Sequence, residues 1–476
     1  MEDLHYFQAK IIQGKNLANA KFNFFKFNLT RSNNLGFGGV GGGLKNLGGN
    51  TGFQNTQTQG GMFSSQNTGF GGNTMTNTNN VNYNANDQVL KKMGIIMNRD
   101  QNNMHTDTIQ DMKFIAMGNN NYKLLSVGWD KTLRLWNCQI QSKNPMTMGM
   151  GSNSPVKAEC QISMAQKIDL KVYGLKLQHI PQMNSVLIVC GDCTIRRLNL
   201  ANMQVDVMIS LNTLALEIFF APEINCFIVV TFDGKVLIYQ TTNLQNPTKS
   251  VGLASTPSCA DYVEGILLIG LADDMWSLVD TRIFNQNIQQ LPSMKCNLES
   301  PITNVKINKP AMCIIATSCD GRIINSTFKS NNQNGMNVYV TPNDVNQCEK
   351  TFIFMGHGVS RNKGNKSKKG PNNAFNITSL NTNSRSQLFA CTSSADSQVV
   401  FWDLTNKSKI RNLDFKEPIS CGAISKDGNL GAFAIGYDWS KGIWGTHQAP
   451  QSIAIGTYIF VNNDLICPEV LKKKNK

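Results

Sequence analysis

The chain has 476 residues, 41% of them hydrophobic, thirteen cysteines and a formal net charge of +14. That length exceeds one ordinary domain unless repeats build a single large one, and the positive excess favours polyanionic partners such as nucleic acid or acidic protein segments. No apolar run approaches the roughly 20 residues of a membrane-crossing helix, which argues against an integral membrane protein; Met1-Glu2-Asp3-Leu4-His5 lacks the flank and core of a secretory signal, and the singly scattered cysteines fit a reducing nucleus or cytosol.

Residues 1–29, with Phe22-Asn23-Phe24-Phe25, follow no recognisable pattern. From about Thr30 to Asn86 the composition turns to Gly, Asn, Thr and Gln with isolated Phe residues, as in Gly36-Phe37-Gly38-Gly39, Thr51-Gly52-Phe53 and Thr68-Gly69-Phe70-Gly71-Gly72. Such a stretch buries too little apolar area to offset its chain entropy, so 1–87 is expected to be a disordered tail. Spaced Phe-Gly pairs in this background also look like nucleoporin tails, and the blander reading is a plain flexible segment. Gln88 to Ile96 has strand character and precedes the first repeat, which makes it a candidate for the strand that closes a ring.

Next come Leu124 to Gly128 as a strand, Trp129-Asp130-Lys131 as a tight turn and Thr132 to Trp136 as the returning strand. The same plan recurs at Phe227 to Tyr239, Ile314 to Arg322 and Val399 to Asp403, and more weakly around Asp192 and Asp273. Seven times an Asp is followed six positions later by a residue that is usually large: Asp130/Trp136, Asp192/Leu198, Asp233/Tyr239, Asp273/Val279, Asp320/Ser326, Asp396/Trp402 and Asp438/Trp444. The separations are 62, 41, 40, 47, 76 and 42, four of them near the roughly 40–45 residues of a WD-type blade. A four-stranded blade cannot bury both faces alone, so the expected fold is all-β, a seven-bladed WD-repeat β-propeller over 88–466, with a basic tail at 467–476. The long separations hold insertions, Gln141 to Glu159 and Asn331 to Pro371, read as loops of the kind that line a binding face.

Gly36-x-Gly38-x-x-Gly41 follows no strand and opens no helix, so it lacks the context of a dinucleotide site. Cys190-x-x-Cys193 has no second ligand pair and flanks the Asp192 turn, where the blade plan already explains a small residue. The five histidines, His5, His105, His179, His357 and His447, stand in no nucleophile or metal motif. No metal, no cofactor and no enzymatic activity are expected. The basic run Arg361, Lys363, Lys366, Lys368 and Lys369 is either a solvated loop or a contact for phosphates or an acidic peptide. Lys472-Lys473-Lys474 carries the same alternatives and nuclear targeting besides.

Tyr437-Asp438-Trp439-Ser440-Lys441-Gly442, preceded by Pro418-Ile419-Ser420-Cys421 and Gly428-Asn429-Leu430 and followed by Tyr458-Ile459-Phe460, resembles the last blade of the nuclear-pore-associated mRNA export factor family. Pro257-Ser258-Cys259-Ala260-Asp261 and Phe352-Ile353-Phe354 with His357 agree with it. The resemblance covers roughly 88–471 and is closest near the C-terminus. It implies a seven-bladed propeller with a Phe-Gly tail that binds an acidic hairpin segment of a large Phe-Gly nucleoporin and, with it, single-stranded RNA. The position receiving the hairpin's glutamates looks like Arg322, whose planar fork suits a carboxylate. The RNA and partner edge looks like Phe354, Trp402, Asp403, Lys407 and Lys409, an aromatic platform beside lysines. Two family lysines are Met355 and Leu404 here, and the family's third-blade turn Trp is Phe232.

The resemblance thus implies a non-enzymatic mRNA export adaptor at the nuclear envelope with a cytoplasmic pool, with tubulin or checkpoint proteins as further candidate partners. The alternatives are the sister mitotic checkpoint propeller, which binds a related hairpin in checkpoint kinases, and a generic WD scaffold such as a ubiquitin-ligase substrate receptor.

Overall fold

The computed structural model describes residues 80–142, 158–309, 313–327, 330–333, 336–339, 351–357, 375–383, 385, 389–406, 408–437 and 453–460. Within them lie seven four-stranded antiparallel sheets and one two-stranded hairpin, Ser330–Gln333 with Met336–Tyr339. The chain forms a seven-bladed β-propeller, as its repeat predicts. In blade one the strands run Ile109–Gly118, Asn121–Gly128, Thr132–Ser142 and Ala158–Asp169 from axis to rim. Blades two to six repeat this order.

Each blade's second strand is buried on both faces, as in Ser185–Cys190, Cys226–Thr231, Ile266–Leu271 and Cys313–Ser318. Continuous apolar runs therefore take the place of polar–apolar alternation. Seven apolar clusters form, one at each junction between neighbouring blades. The repeat spacing acquires a physical meaning here. In blades one to six the residue six positions after the turn Asp sits inside the third strand, and Trp136, Leu198, Tyr239, Val279, Ser326 and Trp402 are all at most 6% exposed.

The innermost strands are stitched to one another by side chains. The Asp111 carboxylate accepts the Leu177 amide of the next blade (2.8 Å), Asp261 accepts that of Ile307 (2.8 Å), and Asn304 and Asn381 donate to the carbonyls of Ile377 (2.8 Å) and Gly422 (3.2 Å). These bonds satisfy polar groups where the innermost strands of neighbouring sheets converge on the axis.

The ring closes through Ile95–Asn98, which pairs with Ala454–Ile459, Ile95 opposite Tyr458 and Asn98 opposite Ile455. A closing strand is thus present, but it shares only Ile95 and Ile96 with the expected stretch, and Gln88–Lys92 is helical. Asn80–Lys92, across the expected tail boundary at 87, is instead an α-helix. Its Leu90 is fully buried between blades six and seven, which explains why a polar stretch takes a packed helical form. Arg99 ties the helix to the ring, with Asp87 at 3.0 Å and Glu417 at 2.5 Å. The insertion limits also shift. Gln141 and Glu159 lie in paired strands, and Thr351–Met355 is the outer strand of blade five instead of loop.

Two blades carry a buried polar chain. His105 Nδ1 donates to Asp130 (2.9 Å), Ser126 donates to His105 Nε2 (2.8 Å), and the Trp136 indole donates to Ser126 (2.9 Å). In blade six His357, Asp396, Thr392 and Trp402 repeat it at 3.0, 2.8 and 3.0 Å. The network itself assigns the proton to Nδ1. Burial pushes the His105 pKa below its ordinary value despite the pull of Asp130.

Because the folded pKa of His105 is depressed, the unfolded chain binds more protons below about pH 6.5, and stability should fall as pH drops through that value. Unfolding free energies measured by denaturant between pH 7.5 and 5 should show this slope, and His105→Asn should flatten it. Arg99→Ala should cost about 2 kcal/mol, read as a lower denaturant midpoint, because two carboxylates lose their charged donor.

Candidate binding face

Strands in each blade alternate in direction, so the turns joining second to third strands lie at the same end of the ring as the connections from one blade to the next. In blades one to six this turn has the same form. The Asp is followed by a residue in the left-handed region: Lys131 (φ 62°), Cys193 (64°), Gly234 (81°), Asp274 (63°), Gly321 (81°) and Ser397 (68°). The carbonyl of that residue accepts an amide from the end of its own blade's outer strand or the residue just after it, as Lys131 does from Leu170 (2.9 Å) and Gly321 from Gly356 (2.8 Å). The Asp carboxylate binds local hydroxyls and cations, as Asp192 does with Thr194 and Arg196. The recurring Asp is therefore a turn-former, and it brings six turns to one face.

Arg322 stands on this face at the start of its strand. Its Nη1 donates to the Leu298 carbonyl (2.9 Å) and Glu299 (3.2 Å), its Nε lies 3.1 Å from Asp320, and its side chain is 33% exposed. The guanidinium is thus aimed by Asp320 and by the connection from blade four to blade five, while Nη2 makes no bond among the described residues. Gly321 beside it admits no other residue, since a Cβ there would lie 1.9 Å from the His357 carbonyl oxygen and 3.0 Å from that of Phe375. Those two residues flank the stretch holding Arg361, Lys363, Lys366, Lys368 and Lys369. The basic run itself lies outside the described residues, and so do Lys407, Asp438, Trp439, Ser440, Lys441 and Gly442.

The same face holds a cluster that sequence reading missed. Trp129 and Tyr173, joined only by the fold, place their rings 5.3 Å apart, and Lys131 Nζ lies 5.1 Å from the Tyr173 ring. Lys131 has no carboxylate partner among the described residues, although neighbouring Lys171 is paired with Asp169 at 2.5 Å. The Trp129 indole donates to Gln110 (3.0 Å), which lines an axial cavity of about 190 Å³ with Thr108, Thr303, Asn304, Ser420 and Tyr437. Trp129 stood in plain view before Asp130. Nothing in the sequence pointed to Tyr173.

Below this mouth the axis is charged but balanced. Lys176 meets Glu217 at 3.2 Å and Lys306 meets Asp261 at 2.7 Å. Attraction to Glu217 raises the Lys176 pKa, whereas burial pulls that of Lys113 down and pushes that of Glu217 up.

At the rim between blades five and six, Phe354 lies 4.9 Å from Trp402, and Lys409 sits 5.6 Å from the Trp402 ring. Of the expected edge residues, Phe354, Trp402 and Lys409 meet, and Lys407 lies outside the described residues. Trp402, however, is 6% exposed with its indole committed to Thr392, so it supports the edge from inside and offers no open stacking surface. Asp403 forms a turn by accepting the amides of Thr405 (2.9 Å) and Asn406 (3.1 Å). Met355 is 52% exposed and Leu404 is buried, so neither departure from the family leaves a cation. Tyr437 is buried, its carbonyl accepting the Thr108 hydroxyl (3.3 Å). Cys190 is buried and Cys193 occupies the turn, and no group of metal ligands occurs among the described residues.

Fold and face define a WD-repeat propeller, and residues 101–137 match the family model described as WD domain, G-beta repeat. The chain is 26% identical over 253 residues to the mRNA export factor of Danio rerio, covering 48% of this chain and 56% of that protein. It is 26% identical over 280 residues to the mRNA export factor of Xenopus tropicalis (54% and 62%), and 31% identical over 100 residues to Protein RAE1 of Arabidopsis thaliana (21% and 25%). The chain thus resembles mRNA export factors within the WD-repeat class, and its match spans less than two thirds of each of these relatives.

Gly321→Ala should destabilise blade five by about 3 kcal/mol, since left-handed strain adds to a backbone clash. Thermal unfolding should show it, whereas Gly118→Ala, with open space around its Cβ, should cost about 1 kcal/mol.

Proposed function

We propose that this chain is a non-enzymatic adaptor in mRNA export that docks the acidic hairpin segment of a Phe-Gly nucleoporin on the face carrying Arg322. The observation that carries the reading is the guanidinium held in place by Leu298, Glu299 and Asp320 yet one third exposed. An incoming carboxylate would meet a preorganised fork and displace only Glu299, itself 75% exposed. Trp129, Tyr173 and Lys131 offer apolar and cationic contacts to the same segment across the face. The names of the similar proteins support mRNA export as the process and the nucleus and its envelope as the place.

Contact with single-stranded RNA belongs to this reading through charge. The net +14, Lys407, Lys409 and the basic run Arg361 to Lys369 suit phosphates, while Phe354, partly buried beside Phe352 and Trp402, would offer a base only its remaining exposed edge.

Arg322→Glu should abolish recovery of nucleoporins with the tagged chain from cell extract, with a single cooperative unfolding transition retained at a somewhat lower midpoint because Glu299 and Asp320 lose their charged donor. Undiminished recovery would overturn the docking site.

A further inference from the structure

Resting on the Arg322 reading, we infer that the outer strand of blade five, Thr351–Met355, is an open edge that takes an extended protein segment as a fifth strand. Such a segment would carry a carboxylate followed by apolar residues at alternate positions. Thr351–Met355 pairs on one side with Arg322–Thr327, and no described strand pairs on the other. The Gly356 amide points inward to Gly321. By the alternation of an antiparallel ladder the amides of Phe354 and Phe352 point inward too, and those of Met355 and Ile353 point out.

Proteins usually blunt such edges with charge. The outer strands of blades one, two, three, four and six do so, with Lys167 and Asp169, Asp206, Lys249, Lys295, and Lys409 with Arg411. That of blade seven, Ile95–Asn98, is backed by the helix with Leu90. Blade five has neither device among the described residues. Thr351-Phe352-Ile353-Phe354-Met355 is uncharged, with Ile353 42% and Met355 52% exposed on one face. On the other face Phe352 and Phe354 stack at 5.9 Å and pack against the core of blades five and six, so the strand is rigid from behind.

Register supplies the identity of the occupant. Met355 is the cross-strand partner of Arg322, so a carboxylate held by Arg322 enters directly above the open edge. From there a segment running away from the binding face lies antiparallel to Thr351–Met355, the more stable sense of pairing. Its outward-facing residues would cover Met355 and then Ile353, which sets the alternate apolar spacing. An RNA strand could use neither the backbone groups nor these two side chains, which stand where phosphates would need cations.

The test pans a random 12-residue phage-displayed peptide library on the full chain. We expect enrichment of sequences with Asp or Glu preceding apolar residues at alternate positions. A synthetic selected peptide should bind at least tenfold more weakly to the Ile353→Lys/Met355→Lys variant and to Arg322→Glu, and N-methylation of alternate backbone amides should abolish binding. Ile353 and Met355 are both exposed, so unchanged thermal unfolding of the double variant checks its fold. Absence of that pattern, or equal affinity for the double variant, overturns the inference. Nucleoporin recovery that depends on Arg322 while the double variant still binds the peptide would sink the strand edge and leave the adaptor reading standing. Peptide binding lost in the double variant while Arg322→Glu still recovers nucleoporins would do the reverse.

Discussion

A sheet that is apolar on both faces cannot stand alone in water, and this one constraint organises the molecule. Each second strand is buried on both sides, so each blade must lie between two neighbours, and the only arrangement without an end is a ring. The ring needs a last bond between distant parts of the chain. Ile95–Asn98 provides it by pairing with Ala454–Ile459, and Leu90 and Arg99 hold the preceding helix in place behind that joint.

The ring then separates stability from binding. Apolar packing is consumed between blades, and polar groups inside blades one and six are joined in chains, as in Asp130–His105–Ser126–Trp136, while Trp276 Nε1, Ser277 Oγ and Asn325 Oδ1 are buried with no partner among the described residues. What remains for partners is the two ends and the rim. One end is shaped by six turns of identical form, each an Asp followed by a left-handed residue, so side chains there have fixed positions without being buried.

Charge follows the same division. Turn carboxylates hold nearby cations, as Asp169 holds Lys171 and Asp233 holds Lys235, and the axial lysines Lys176 and Lys306 face Glu217 and Asp261. Such pairs add little to stability when exposed but leave the surface locally neutral. Lys131 differs because no carboxylate among the described residues answers its charge, whereas Arg322 is paired with Glu299 and Asp320 yet stays one third exposed. The uncharged outer strand of blade five differs in the opposite sense, presenting backbone and apolar side chains where the outer strands of blades one to four and six carry charge.

The sequence alone determined the blade plan. An Asp-centred turn with a large residue six positions on is a local pattern, fixed by backbone geometry and strand alternation, and so it survives even where blades two and four look weak. It also placed Arg322 beside Asp320 and Gly321. Only the tertiary structure decided which side chains meet and which are covered. Asn80–Lys92 has too polar a sequence to announce a helix, and it folds because Leu90 finds a cavity built from blades six and seven. Trp129 reaches Tyr173 across a blade junction, and Trp402 is taken out of reach by Thr392 and its neighbours. Burial and cross-blade contact depend on the packing of segments far apart in the chain, and no local pattern of residues carries that information.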